Sequence, residues 1–168
     1  MGQSQIKIDK LDFVWTKSYC SISKPATSEL SPYDYEEKEF EYIDFLINDK
    51  RLGNILQIEG KTIGYYTRDC HHADTINDLL PVITKSREVT LYDKPIGENI
   101  YDWYSIVCNI SINDQIVTWS NFGIPNTAWT EPIDFLRPFN FDINQYSDTL
   151  NKINLELVTK TLAKPDNN

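Results

Sequence analysis

The stretch "YSIVCNISINDQIVTWSNF", residues 104 to 122, decides the fold. Two runs rich in Ile, Val and aromatic residues flank Asn113-Asp114-Gln115, where the turn formers sit. Strand side chains alternate between two faces, and Asn and Asp accept the left-handed backbone of a tight turn. The stretch therefore reads as an antiparallel hairpin, with Trp119 and Phe122 in the core.

Upstream, "EFEYIDFLI" (residues 39 to 47) alternates in the same way and is expected to be a strand. Asn48-Asp49 then turns the chain into "KRLGNIL", at most a short helix. Ile6 to Trp15 reads as one strand with a turn at Asp9-Lys10, and the Ser-, Pro- and Thr-rich residues 21 to 35 read as a loop. "KTIGYYT" (61 to 67) and "REVTLYD" (87 to 93) are further strand candidates. Between them Asp74 is placed to cap a helix through "TINDLLPVITK", with Leu79, Leu80 and Ile83 inward. Pro81 falls inside that pattern, so this helix is expected to start late or to kink.

Downstream of the hairpin, a Pro-bearing loop carries Trp129 and leads to a short extended run, "DFLRPFNF". Asp142 then opens a helix whose Tyr146, Leu150, Ile153 and Leu157 recur at intervals of four, three and four on one face. The order predicts an α+β protein: a mostly antiparallel sheet with one long C-terminal helix and one shorter internal helix. A single domain over residues 1–162 and a flexible tail over 163–168 are expected.

Composition narrows the function classes. The chain has 168 residues, 40% of them hydrophobic and 24% charged, which suits one globular domain with its own core. No apolar run approaches the ~18 residues of a membrane span, and the start lacks the apolar core of a signal peptide. Its Met-Gly start resembles a myristoylation signal, but Ile6 stands where Ser or Thr is preferred. Cys20, Cys70 and Cys108 are well separated and form no C-x-x-C pair, so a reduced, cytoplasmic protein is expected. The net charge of −9 argues against nucleic acid and for a basic partner.

"TRDCHHADTINDLL" (67 to 80) holds both histidines of the chain, His71 and His72, beside Cys70 and Asp74. Zinc needs three or four ligands that converge, whereas adjacent histidines point apart and no third exists. A polar loop running into a helix cap explains the cluster better than a metal or nucleophilic site. No metal and no cofactor are expected. The chain carries no P-loop, no G-x-S-x-G, no G-x-G-x-x-G and no H-E-x-x-H, which favours a protein that is not an enzyme.

The acidic run says more. From Glu29 to Asp49 eight acids oppose one lysine, Lys38, so −7 of the net −9 is concentrated there. A solvated face is the plain explanation of such a run. Tyr33, Tyr35 and Tyr42 interleave with the acids, however, and tyrosine beside carboxylate suits a surface that holds a basic partner. The candidate partner-binding residues are Tyr33, Asp34, Tyr35, Glu36, Glu37, Glu39 and Glu41.

Thr118-Trp119-Ser120-Asn121-Phe122-Gly123, followed by Phe135-Leu136-Arg137-Pro138-Phe139-Asn140-Phe141-Asp142 and Gln145-Tyr146, resembles a group of small bacterial proteins. That group has an apolar strand, a short turn, a "WSDFG"-type second strand and a "PFxFD…QY" entry to a C-terminal helix. "FLINDKRLGNIL" is similar to the group's N-terminal segment, and the likeness spans residues 39 to 155 with gaps. Many members carry clustered cysteines before the hairpin; "DKPIGENIYDWYS" (93 to 105) has none. In size, acidity and strand content the chain is similar to the immunity proteins of contact-dependent inhibition and polymorphic toxin systems. The resemblance implies a bacterial cytoplasmic protein that neutralises a cognate toxin domain, a basic nuclease, without enzymatic activity. Two other readings remain: a small hydrolase using carboxylates or His71 and His72, and a ligand- or carbohydrate-binding module using Trp129.

Overall fold

The computed structural model describes residues 6–24, 34–56, 76–81, 86–92, 106–125 and 129–163, with backbone alone at 18–24, 34–40, 42, 92 and 161–163. Two antiparallel sheets and a long C-terminal helix make the architecture, an α+β fold dominated by strands. The first sheet has the order β1-β2-β3, with β1 over Leu11–Lys24, β2 over Asp34–Ile47 and β3 over Lys50–Arg51. A four-residue helix, α1 (Leu52–Ile55), follows β3 directly.

β2 and β3 are joined by Asn48-Asp49 alone, both left-handed at φ 52° and 64°. Two left-handed residues in a two-residue loop match the right-handed twist of the strands they connect, and Asn and Asp adopt that geometry at little cost. Asn48 is used twice. Its Oδ1 accepts from the Lys10 N–H at 2.9 Å, and its Nδ2 donates to Asp9 at 2.7 Å.

The second sheet centres on the hairpin of β5 (Ile106–Asn113) and β6 (Ile116–Pro125). β4 (Arg87–Tyr92) pairs with β5. The far edge of β6 is shared by two short strands. β8 (Phe139–Asp142) takes Ile116 to Trp119, and β7 (Thr130–Pro132) takes Gly123 to Pro125. The close approach of β7 requires a glycine at 123. A Cβ there would lie 2.9 Å from the Glu131 carbonyl oxygen and would overlap the Thr130 methyl. Gly123→Ala is therefore expected to destabilise the protein by about 1–3 kcal/mol through overpacking, read from its urea unfolding midpoint. An unchanged midpoint would mean that β7 yields without loss.

Helix α2 (Ile143–Ala163) starts where β8 ends. Asp142 Oδ1 accepts from the N–H groups of Asn144 and Gln145 at 3.0 and 3.1 Å, the N-cap expected from the sequence. Tyr146, Leu150 and Ile153 are fully buried and Leu157 is partly so, as their spacing requires. On the same helix Gln145 grips Leu11 of β1. Its Oε1 accepts from the Leu11 N–H at 3.3 Å, and its Nε2 donates to the Leu11 carbonyl.

Trp119 sits at the centre. It meets Phe45 of the first sheet, Phe141 of β8 and Tyr146 of α2 edge to face, with centroids 5.5, 5.3 and 6.1 Å away. Its Nε1 donates to the Tyr146 hydroxyl at 3.1 Å, and that hydroxyl donates to the Leu79 carbonyl at 2.8 Å. Every polar atom of the two rings is thereby matched, as burial demands. Burial pushes the Tyr146 hydroxyl far up, so it stays protonated and able to donate.

Several expectations change. Residues 6–8 are not strand; Asp9 makes a lone parallel bridge to Phe141, and β1 starts only at Leu11. The Asp9 N–H goes to the Asn140 carbonyl at 2.6 Å, so the chain leaves one sheet here to join the other. The expected loop over 21–35 is strand at both ends: the ladder continues through Ile22↔Glu36 to Lys24↔Asp34. Cross-strand backbone bonds override the local turn preference of these residues. "DFLRPFNF" is strand only from Phe139; before it the Leu136 N–H turns back to the Ile133 carbonyl at 3.3 Å, and Pro138 has no N–H for a ladder. Among the described residues the internal helix covers 76–79 and stops before Pro81. Proline disfavours helical geometry in the residue before it. Arg87 donates to the carbonyls of Asp78 and Leu80 at the end of that turn. The candidate strand 61–67, the cap Asp74, Ile83 and the tail "KPDNN" lie outside the described residues.

Candidate functional site

β2 carries the acidic run, and its pairing with β1 sorts the acids. Antiparallel register sets Lys24 opposite Asp34 and Lys17 opposite Glu41. A lysine and a carboxylate directly across a ladder attract each other. Glu36, Glu37 and Glu39 stand opposite Ile22, Ser21 and Tyr19, none of them a cation. Tyr35 stands opposite Ser23. The side chains of Asp34 to Glu39 lie outside the described residues, as does Tyr33 entirely. β3 pairs only with Leu46 and Ile47, so among the described residues the second edge of β2 from 34 to 45 has no partner strand.

Two acids of the run belong to the protein's own structure. Glu41 accepts from Lys160 of α2 at 2.5 Å, and the same ammonium lies 4.2 Å from the centroid of the Trp15 ring. The Trp15 indole N–H in turn donates to Glu156 at 2.7 Å. The cluster clamps α2 onto the first sheet. Asp44 is buried, accepts from the Gly53 N–H at 3.4 Å and lies 4.0 Å from the Arg51 guanidinium.

A second set of groups was not singled out by sequence reasoning. Asp9, its carboxylate fully enclosed, is held by the Arg137 guanidinium at 2.5 and 2.8 Å, the Asn48 amide at 2.7 Å and the Asn140 N–H at 3.2 Å. Burial alone would raise its pKa, but the hydrogen bonds from Arg137, Asn48 and Asn140 outweigh burial and hold the carboxyl below its ordinary value. The cluster ties the N-terminal segment, the β2–β3 turn and β8 together. Its members lie far apart in the chain, and no local pattern marks them.

Other candidates are placed as follows. His71, His72, Cys70 and Asp74 lie outside the described residues, and of Cys20 only the backbone is described. Cys108 is buried, and burial with the nearby charge of Glu88 pushes its thiol up, so it is no thiolate nucleophile near neutral pH. Among the described residues no three metal-ligating side chains gather, and no helix is long and apolar enough to cross a membrane. Trp129 is 67% exposed, just before β7.

A groove of about 400 Å³ opens beside β7, walled by Glu88, Asn109, Asn121 and Asp134 over a floor that includes Phe122 and Ile133. Trp129 does not line it. Glu88 and Asn109 are cross-strand partners. The β5–β6 register slips between Val107↔Gly123 and Asn109↔Ser120, so Asn121 and Phe122 stand against Cys108 alone. Asn121 takes a left-handed φ of 50° at this bulge. A bulge re-aims a side chain that regular pleating would place elsewhere.

No protein family, curated protein or solved structure matches the chain.

Proposed function

We propose that this is a bacterial immunity protein that binds and neutralises a cognate toxin domain, a basic nuclease, through the acidic strand β2. One observation carries the reading. Glu36, Glu37 and Glu39 lie within four residues of one strand, interrupted only by Lys38, and the register positions that face them hold no cation, unlike those of Asp34 and Glu41. Uncompensated acids along a strand edge attract the Lys and Arg with which a nuclease grips phosphate, and they speed the encounter in a salt-dependent way. Tyr33 and Tyr35 adjoin these acids in the sequence and would add aromatic area to the same contact. Asp34 and Glu41 contribute less, since each faces a lysine across the ladder. The protein acts by covering the toxin, so it works without cofactor or metal, in the cytoplasm where the toxin arrives.

The test is growth rescue. Cells producing the toxin domain encoded beside this gene are expected to survive when the wild-type protein is present. E36K/E37K/E39K is expected to lose rescue while keeping the wild-type thermal unfolding curve. Rescue by the folded triple variant would sink the assignment of the surface. A neighbouring gene without a toxic domain, or no rescue by the wild type, would sink the reading itself. A charged edge also keeps strands from pairing between molecules. If that were its whole role, the triple variant would still rescue.

A further inference from the structure

The groove beside β7 has its own chemistry. Two carboxylates, Glu88 and Asp134, and two amides, Asn109 and Asn121, surround it, and among the described residues its wall contains no Lys, Arg or His. Among the described residues none of the four side chains has a hydrogen-bond or ion-pair partner. Arg87 and Arg137, the nearest arginines in sequence, are engaged elsewhere: Arg87 with the carbonyls of Asp78 and Leu80, Arg137 with Asp9.

These features discriminate among ligands. Two uncompensated negative charges exclude a phosphate, a sulfate or a carboxylate. A sugar needs an open aromatic face to stack on, and Phe122, the one aromatic wall residue among those described, is 3% exposed. The open aromatics, Trp129 and Phe135, are not part of the wall. A cation with an apolar stem fits both halves of the groove. The stem lies along the more open apolar lining of Pro132, Leu136 and Pro138, and the head is offered carboxylates and amide oxygens. A guanidinium fits better than an ammonium, because its five N–H donors fan out in a plane and engage several acceptors at once.

We propose that this groove receives an arginine side chain of the basic partner, a second contact separate from β2. The proposal rests on the partner being a basic protein, as in the proposed function. The groove's own affinity is measured without that partner.

The experiment titrates the isotope-labelled full chain with N-acetyl-arginine amide and follows amide signals by NMR. Saturable shifts are expected at the side-chain amides of Asn109 and Asn121, with dissociation constants on the order of millimolar for so small a probe. N-acetyl-lysine amide is expected to bind more weakly, and glucose not to shift these signals. E88Q/D134N alters two exposed side chains, so the fold is retained, and affinity for the arginine probe is expected to fall roughly tenfold or more. No saturable shift, equal shifts with glucose, or undiminished binding by the folded E88Q/D134N variant would each overturn the proposal. Such a failure leaves the growth-rescue result untouched, and a failure of rescue leaves the titration readable.

Discussion

Trp119→Ala is expected to lower the unfolding free energy by about 3–5 kcal/mol, the range for removing a buried aromatic ring. Trp119 is fully enclosed, and three aromatic rings on three elements, β2, β8 and α2, pack edge to face on it. Each such pair adds ~0.5–1.5 kcal/mol beyond area burial. Removing the indole also leaves the Tyr146 hydroxyl without its donor, although that hydroxyl still donates to Leu79. A total stability in the usual range of ~5–15 kcal/mol makes this loss decisive. Trp119→Phe separates the two contributions. It keeps most of the ring contacts and drops the N–H, so about 1–2 kcal/mol is expected. Urea unfolding followed by circular dichroism measures both. An alanine variant within ~1 kcal/mol of wild type would show that the two sheets and α2 do not share one core around this ring.

Arg137→Ala is expected to cost about 2–3 kcal/mol near neutral pH. Breaking a buried ion pair from one side typically costs ~3–5 kcal/mol. The exposed part of the Arg137 side chain and the donors that remain on Asp9, from Asn48 and Asn140, bring the value down. The pH dependence carries the sharper signature. The folded protein holds the Asp9 carboxyl below its ordinary value, so its ionised form stabilises the fold. That contribution is complete above the unfolded pKa of ~4 and is lost as pH falls through the lower, folded value. Without Arg137 the folded pKa rises, so acid unfolding sets in at higher pH. Asp9→Asn removes the titration altogether and flattens the stability curve below about pH 4. Thermal unfolding from pH 2 to 7 on the three proteins reads all of this. An acid slope in D9N equal to that of wild type would show that other carboxylates dominate.

The identity of the Asp9 partners could not be read from the chain. "IDKLDF" looks like the start of a strand, and Asp9 in it looks like a solvated face position, no different from Asp12. Its partners come from residues 48, 137 and 140, and a buried carboxylate becomes tolerable only when those segments converge. The groove has the same origin. Glu88, Asn109, Asn121 and Asp134 lie on separate segments, and the bulge that re-aims Asn121 arises from a slip in cross-strand register. The acidic strand was legible by contrast, because charge density is a property of consecutive residues. Which of its acids face lysines was not, since that depends on the register of β1 against β2.

The sequence by itself determined the elements whose signals are local. Alternation over 104 to 122 specified the β5–β6 hairpin, the Asn48-Asp49 pair specified the tight turn between β2 and β3, and Asp142 with the spacing of Tyr146, Leu150 and Ile153 specified the terminal helix. Pattern and capping act within a few residues, so a window of sequence contains their whole cause. The tertiary structure alone decided that β1 runs on to Lys24 and β2 begins at Asp34, that Asp9 bridges two sheets, and that four polar residues surround one groove. Each depends on hydrogen bonds or packing between separate segments of the chain. Their energies exist only once the chain has closed on itself.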